Sequence, residues 1–580
     1  MASQPPTSPT VNSWQTKAAE KRAACQEAIP KDWILAQSIL ETLPAKSDLP
    51  KTKVNLIDLD IPRRSGILTE REIEITESFS TSQLLEGLAS GKFTSYEVTL
   101  AFSKRAAIVQ QLVGCLTETF FKEALERAKY LDELRSKGKL LGPLHGLPIS
   151  LKDTYQVEGT QATIGAVSFL NRTSQENSSM VEVLLELGAV LYVKTNVAQI
   201  LLAVESDNNV FGRTLNPWNT MLTAGGSSGG EGALVAFRGT PLGVGTDLAG
   251  SIRIPSLCCG VYGLRATADR LPFGKQVMPS SAGIWPVKPT AGPLANDIDS
   301  LRMFMKTVID AKPALYDGAV IDAPWRSLTK KPKLRLGVLP ADPFFPLHPT
   351  VEETINRAVK ALQSQGHEIV TLDASECRVG EASQIMTQLV ALDTTAASIL
   401  EASGEPPVQC LSNFSNKVSK IGWDFLPDLS GKDRLDKYGT LEYIRAEIAE
   451  AWRKLWVKHN LDAVISPSAQ HTAVEHDNFG WPAYSAFLNL LDYPACIIPF
   501  GKASKIDVEF VAEPGEGAPP CRHPHMLTPS LTDSNVERAD NPEAVAGAPS
   551  SIQVFTSRMR DEECLAAAEV IDDCFKQSVA

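Results

Sequence analysis

Residues 224–255 read AGGSSGGEGALVAFRGTPLGVGTDLAGSIRIP, from Ala224 to Pro255. The stretch holds nine glycines and three serines. Glycine at this density marks backbone in conformations that a Cβ forbids, or backbone pressed against a ligand. A flexible linker does not fit, because Ala233, Leu234, Val235, Ala236, Leu242 and Val244 are interleaved with the glycines. A phosphate loop does not fit either. No Lys follows these glycines as the P-loop pattern requires, and the run beginning Gly243-Val244-Gly245 has Leu248 where a GxGxxG motif needs its last glycine. A nucleophile elbow, GxSxG, occurs twice in overlapping register, at Gly225–Gly229 and Gly226–Gly230. In an α/β-hydrolase a later acid and a His complete it, and His471 or His476 could serve. That reading leaves the second half of the stretch, with Ser251, unexplained.

Outward from this stretch, short apolar strands alternate with helices. Leu147–Leu151 reads as a strand ending at Lys152, Val181–Leu187 as a helix stopped by Gly188, and Ala189–Lys194 as a strand. Farther upstream, Ser82–Ala89, Ser95–Val109 and Phe121–Lys137 read as helices, the second opened by a capping box of Thr94 and Glu97. Downstream, Leu334–Leu339 (strand), Val351–Ser364 (helix), Glu368–Leu372 (strand), Leu441–His459 (helix) and Ala463–Ser466 (strand) continue the alternation, and Arg560–Lys576 closes it as a helix. Such alternation predicts an α/β protein with a largely parallel or mixed sheet flanked by helices. Residues 1–60 are polar and Lys/Glu-rich and predict a polar, helical N-terminal extension. Residues 61–580 read as a single domain, with a long irregular loop over the Gly-, Pro- and charge-rich residues 501–549. No period of 20–50 residues repeats, so a solenoid or propeller is disfavoured.

Composition narrows the function classes. The 580 residues are 43% apolar and 21% charged, ordinary for a folded protein. Lys plus Arg number 56 and Asp plus Glu 68, a net charge of −12, so the basic footprint of a nucleic-acid partner is absent. The most apolar run, Tyr484–Phe500, is broken by Asn489, Asp492 and Pro494, and no transmembrane segment is expected. The opening residues MASQPPTSPTVNSWQTKAAEKRAAC have no apolar core, and the ten Cys form no CxxC pair. Both point to a cytoplasmic protein with reduced thiols. The eight His form no HExxH pattern, and no metal is expected.

Three motifs, in order and at fixed spacing, carry the functional reading. GGSSGGEGA (Gly225–Ala233) and GTDLAGSIRIP (Gly245–Pro255) place Ser227 and Ser251 24 residues apart, and GLPISLKD (Gly146–Asp153) places Lys152 75 residues before Ser227. VKTN (Val193–Asn196), GRTLNPW (Gly212–Trp218), LDYP (Leu491–Pro494) and the segments Gly547–Pro549 and Ile552–Val554 add to them. Together they resemble the amidase signature family over about residues 60–575. Thr99–Phe102, Lys104–Ala106 and Gly142–Gly146 are most similar to its fungal acetamidase-type members, and GGSSGGEGAL also resembles the fatty acid amide hydrolases.

The resemblance implies a large mixed central sheet with helices on both faces, and hydrolysis of a small-molecule carboxylic amide without metal or cofactor. It implies a Ser-cisSer-Lys mechanism. Ser251 would be the nucleophile that carries the acyl group, Ser227 the bridge, held on a cis peptide, and Lys152 the general base. Backbone N–H groups of Leu248, Ala249, Gly250 and Ser251 would form the oxyanion hole, Asp247 and Arg253 would fix that turn, and Leu201 would line the substrate site. Ala249 stands where the family commonly has Gly. If its φ must be positive, Ala costs roughly 1 kcal/mol or more. A homodimer is the family-based expectation. A tailoring amidase of a secondary-metabolite pathway, a glutaminase subunit of an amidotransferase and a non-catalytic binding paralogue are the alternatives.

Chemistry supports Lys152 independently. A free Lys has a pKa near ~10.4 and is no base at neutral pH. Lys152 ends an apolar run, so its ammonium should be desolvated and easier to deprotonate. The competing expectation is a surface Lys paired with Asp153. Cys258 and Cys259, in an apolar stretch, are expected to be small buried hydrophobes, and His471 and His476 to be loop residues near the site mouth.

Overall fold

The run ahead of Lys152 forms one strand of a sheet that extends the length of the molecule. The computed structural model describes residues 13–504, apart from 282 and 284, and residues 542–579. Among these, eleven strands form a single sheet: β1 (Leu116–Thr119), β2 (Pro148–Lys152), β3 (Val190–Thr195), β4 (Leu242–Asp247), β5 (Tyr262–Arg265), β6 (Thr290–Ala295), β7 (Arg335–Val338), β8 (Glu368–Thr371), β9 (Ala463–Ser466), β10 (Ala495–Lys502) and β11 (Pro549–Phe555). Their order is β1-β3-β2-β4-β6-β5-β10-β11-β9-β7-β8. β2 pairs in parallel with β3 and β4, and β7 with β8 and β9, while the remaining pairs are antiparallel. The sheet is therefore mixed, flanked by helices on both faces, as the alternation and the family resemblance implied.

The three strands that carry the site, β2, β3 and β4, are buried at every residue. Strands covered on both faces read as continuous apolar runs, which is why the sequence shows β2 and β3 clearly. The helices Ser95–Val113 and Gly229–Ala236 pack across them. The first has the expected Thr94–Glu97 capping box and runs beyond the expected end to Gly114, which takes φ 65° and stops it. Helix Arg253–Cys259 leans on β5, β10 and β11, and the closing helix Asp561–Val579 on β9, β10 and β11.

Residues 14–27 form a helix and residues 31–51 three short turns. Ile29, Trp33, Leu35 and Leu49 join the main hydrophobic core, with Trp33 edge-on to Phe121 at 5.3 Å. Of the expected loop at 501–549, residues 505–541 lie outside the described residues. No helix among the described residues is long and apolar enough to cross a membrane.

Candidate active site

Lys152 closes β2 with no solvent exposure. Its Nζ lies 2.7 Å from Ser227 Oγ, 2.8 Å from Thr246 Oγ1 and 3.2 Å from the Thr246 carbonyl. Among the described residues no carboxylate touches it. Burial pulls its pKa from 10.5 down to about 7, while the charges of Asp247 and Glu231 pull the other way. Asp153, the neighbour proposed as a surface partner, is itself buried and turned toward Lys194 on β3, 3.1 Å away. The surface ion pair is thus overturned: β2 buries both residues, and the alternation of side chains along a strand sends them to opposite faces.

Ser227 follows a cis Gly226–Ser227 peptide bond. Its carbonyl accepts from Ala198 N (3.3 Å) and Ser206 Oγ (3.2 Å). Gly226 permits this approach, since a Cβ there would stand 2.5 Å from Glu205 N. The next residue, Ser228, precedes helix Gly229–Ala236 and gives its N–H to the Ser251 carbonyl at 3.2 Å. Ser251 thereby lies against the Ser227–Ser228 segment. Its hydroxyl has no hydrogen-bond partner among the described residues.

Asp247, the last residue of β4, shapes the turn that presents Ser251. Its carboxylate accepts from Gly250 N (2.8 Å), Ile252 N (3.1 Å), Asn489 Nδ2 (2.9 Å) and the Arg253 guanidinium (3.0 and 3.1 Å). Burial alone would raise its pKa, but Arg253 and these donors hold it well below the usual carboxylate range. Arg253 is fully buried and also reaches Ser485 O and Gln553 Oε1 at 3.0 and 2.9 Å. The turn corrects two expectations. Gly250, expected to offer its N–H to an oxyanion, gives it to Asp247, which leaves the N–H groups of Leu248, Ala249 and Ser251 without partners among the described residues. Ala249 is not in the left-handed region. The residue that must lack a side chain is Gly250, with φ 123° and a virtual Cβ 2.9 Å from both Ile254 and Ser485.

Leu201 sits one residue after Ile200 in a turn where both have positive φ, 47° and 61°. It packs with Ile164, Ile399, Cys410 and Leu411. The bond from Ala198 N to Ser227 O ties this cluster to the serine peptide. His471 and His476 are loop residues, partly buried. Burial depresses them to about 4 and about 3, and each ring contacts a backbone carbonyl, of Thr472 and Thr220 respectively. Cys258 and Cys259 are fully buried, with thiols pushed up by burial. Asp207, Cys410 and Asp477 come within 4.8 Å of one another, yet the Arg213 guanidinium already lies on both carboxylates. Two residues of the site went unread in the sequence. One is Thr246, which holds the amine from two sides. The other is Glu231, whose one visible sign is its place as the lone acid in the stretch Ala224–Ala236.

A family model described as Amidase matches residues 97–565. The chain belongs to the Amidase family. It is 38% identical over 569 residues to an amidase of Gibberella moniliformis, covering 97% of this chain and 99% of the relative. It is 37% identical to an acetamidase of Emericella nidulans, covering 96% and 98%. A solved fatty acid amide hydrolase superposes with a TM-score of 0.85 at 29% identity, covering 97% of this chain and 95% of that one. Amidases of this family hydrolyse amide C–N bonds, and so does this chain.

Proposed function

We propose that the chain hydrolyses a carboxylic amide through an acyl-enzyme on Ser251, with Ser227 and Lys152 moving the protons. The observation that carries this reading is the 2.7 Å contact between a fully buried amine and the Ser227 hydroxyl. An amine that titrates near neutrality is a competent general base. In its neutral form two N–H bonds serve the Thr246 hydroxyl and carbonyl, and the lone pair faces Ser227 Oγ.

The steps balance. Lys152 Nζ takes the Ser227 proton as Ser227 takes that of Ser251, and Ser251 Oγ bonds to the amide carbon. The carbonyl oxygen gains the negative charge, and the N–H groups of Leu248, Ala249 and Ser251 would receive it. One such donor is typically worth about 2.7–4 kcal/mol in the transition state. The proton then returns through Ser227 to the leaving nitrogen, the C–N bond breaks, and ammonia or amine departs. Water attacks the ester by the same route and releases the acid. All of these groups are the chain's own side chains and backbone, so the reaction is proposed to need no cofactor.

Relatives that carry the name acetamidase favour a short acyl group, and Leu201 is proposed to line the pocket that receives it. Cytoplasmic residence and assembly as a homodimer belong to the same proposal. Ser251→Ala and Lys152→Ala, assayed on a panel from acetamide to aryl and long-chain amides, test the mechanism. Loss of turnover in both supports it, and wild-type rates in either variant would end it. Labelling of wild type by a fluorophosphonate, mapped to Ser251 by mass spectrometry, identifies the nucleophile directly.

A further inference from the structure

Glu231 is a fully buried acid that the reaction above does not use. It lies in the first turn of helix Gly229–Ala236, four residues after Ser227. Its two oxygens are held separately, Oε2 by Ser150 Oγ at 2.6 Å and Oε1 by Thr195 Oγ1 at 2.9 Å. Both hydroxyls belong to the strands around the amine. Ser150 stands two residues before Lys152 on β2, and Thr195 is the register partner of Lys152 on β3. On the third strand, Gly243 makes the room: a Cβ there would stand 2.1 Å from Glu231 Oε2. Among the described residues Glu231 forms no ion pair.

Among the described residues its charge reaches four titratable groups, and Lys152 also feels that of Asp247. Cys115 lies before β1, Tyr192 on β3, Tyr155 after β2, and Lys152 at the end of β2. Burial pushes the thiol and both phenols up, so they stay neutral. That leaves Lys152 as the one facing group that titrates near neutral pH, and the acid and the amine feel each other's charge with no counter-ion between them.

We propose that Glu231 is a positioning residue of this reaction, a buried acid whose charge sets the pH range in which Lys152 is free to accept a proton. The inference rests on the Ser-Ser-Lys reading above. Its sign follows from electrostatics. A carboxylate beside the amine favours the ammonium, and the neutral acid releases it. Burial raises Glu231 to about 8, with the two hydroxyls and Lys152 opposing. The two groups therefore gain and lose protons as a coupled pair rather than one at a time.

The test is the pH dependence of fluorophosphonate inactivation, which reports reactivity at the nucleophile without a known substrate. The full chain is compared with E231Q, E231D, S150A and K152A between pH 5 and 10. Wild type should rise with pH in a broad curve spanning two protonations. E231Q should rise in a single step whose midpoint lies about one pH unit lower, because one of the two charges that favour the ammonium is gone while that of Asp247 remains. S150A removes a donor that stabilises the carboxylate and should move the midpoint the same way by less. E231D should keep the wild-type profile. If E231Q superimposes on wild type while K152A abolishes labelling, the role of Glu231 falls and the triad stands. If K152A labels like wild type, the triad falls as well. Should E231Q fail to fold, an unshifted S150A profile overturns the proposal.

Discussion

Lys152 and Lys194 occupy adjacent parallel strands, one register step apart, and both are fully buried. Their surroundings differ in one respect. Lys194 meets a carboxylate, Asp153 at 3.1 Å, which is itself satisfied by Thr117 Oγ1 and by the N–H and hydroxyl of Thr163. Among the described residues Lys152 meets hydroxyls and a carbonyl and no carboxylate. Burial pulls the Lys152 amine toward its neutral form, and no carboxylate among the described residues pairs with it. With a carboxylate the amine becomes half of a structural ion pair. Without one it is free to serve as the base of the proposed reaction. The strand places Lys152 and Asp153 on opposite faces, so the acid next in sequence serves the other lysine.

The largest expected effect separates the two amines by activity. Lys152→Ala should lower kcat by about 10⁴-fold or more, as loss of a catalytic-triad member does elsewhere, with the fold kept. Lys194→Ala should act through the fold. Removing one partner of a buried pair costs about 3–5 kcal/mol, measurable by urea denaturation, and any remaining folded protein should turn over. Lys194→Met combined with Asp153→Asn should recover much of that loss. Equal damage to kcat and stability in both single variants would erase the distinction.

The next effect runs through pH and stability. A folded-state pKa near 7 against an unfolded value near 10.5 means that folding disfavours the protonated Lys152. The resulting destabilisation is fully present below pH 7 and fades as pH rises toward 10.5. Lys152→Met should therefore raise the Tm most at pH 6–7, with the gain shrinking by pH 10. A difference from wild type that stays constant with pH would show that the amine is not held neutral.

How much of this the sequence showed depends on the range of the interaction. β2 and β3 were legible as buried apolar runs, and the serines and Lys152 as a spaced motif. β4, β5 and β6 were not, because LGVGTD, YGLR and TAGPLA carry glycine or proline that strands ordinarily avoid. β10 was hidden in one apolar run with helix Ala483–Leu491, which Asp492 ends in the left-handed region at φ 57°. The Lys194–Asp153 pair depends on register between strands, which no local pattern displays. The same holds for Ala249 and Gly250: the motif shows a turn but not which residue takes positive φ.

The smallest expected effect probes what aims the Lys152 lone pair. Lys194 needs no aiming, since an ion pair tolerates rotation about the Nζ axis. The base of the proposed reaction must present its lone pair to one oxygen, and the two Thr246 contacts would take the other two directions of Nζ. Thr246→Val keeps the shape and the carbonyl but removes the hydroxyl. One hydrogen bond of about 1 kcal/mol is lost, so kcat should fall about fivefold with KM unchanged. Thr246→Ser should restore it. The corresponding change near Lys194, Thr163→Val, removes a donor from Asp153 and should lower stability while leaving the kcat of the folded enzyme intact. If Thr246→Val instead changed KM and left kcat alone, the hydroxyl would be serving the substrate rather than the amine, and the contrast between the two lysines would rest on the carboxylate alone.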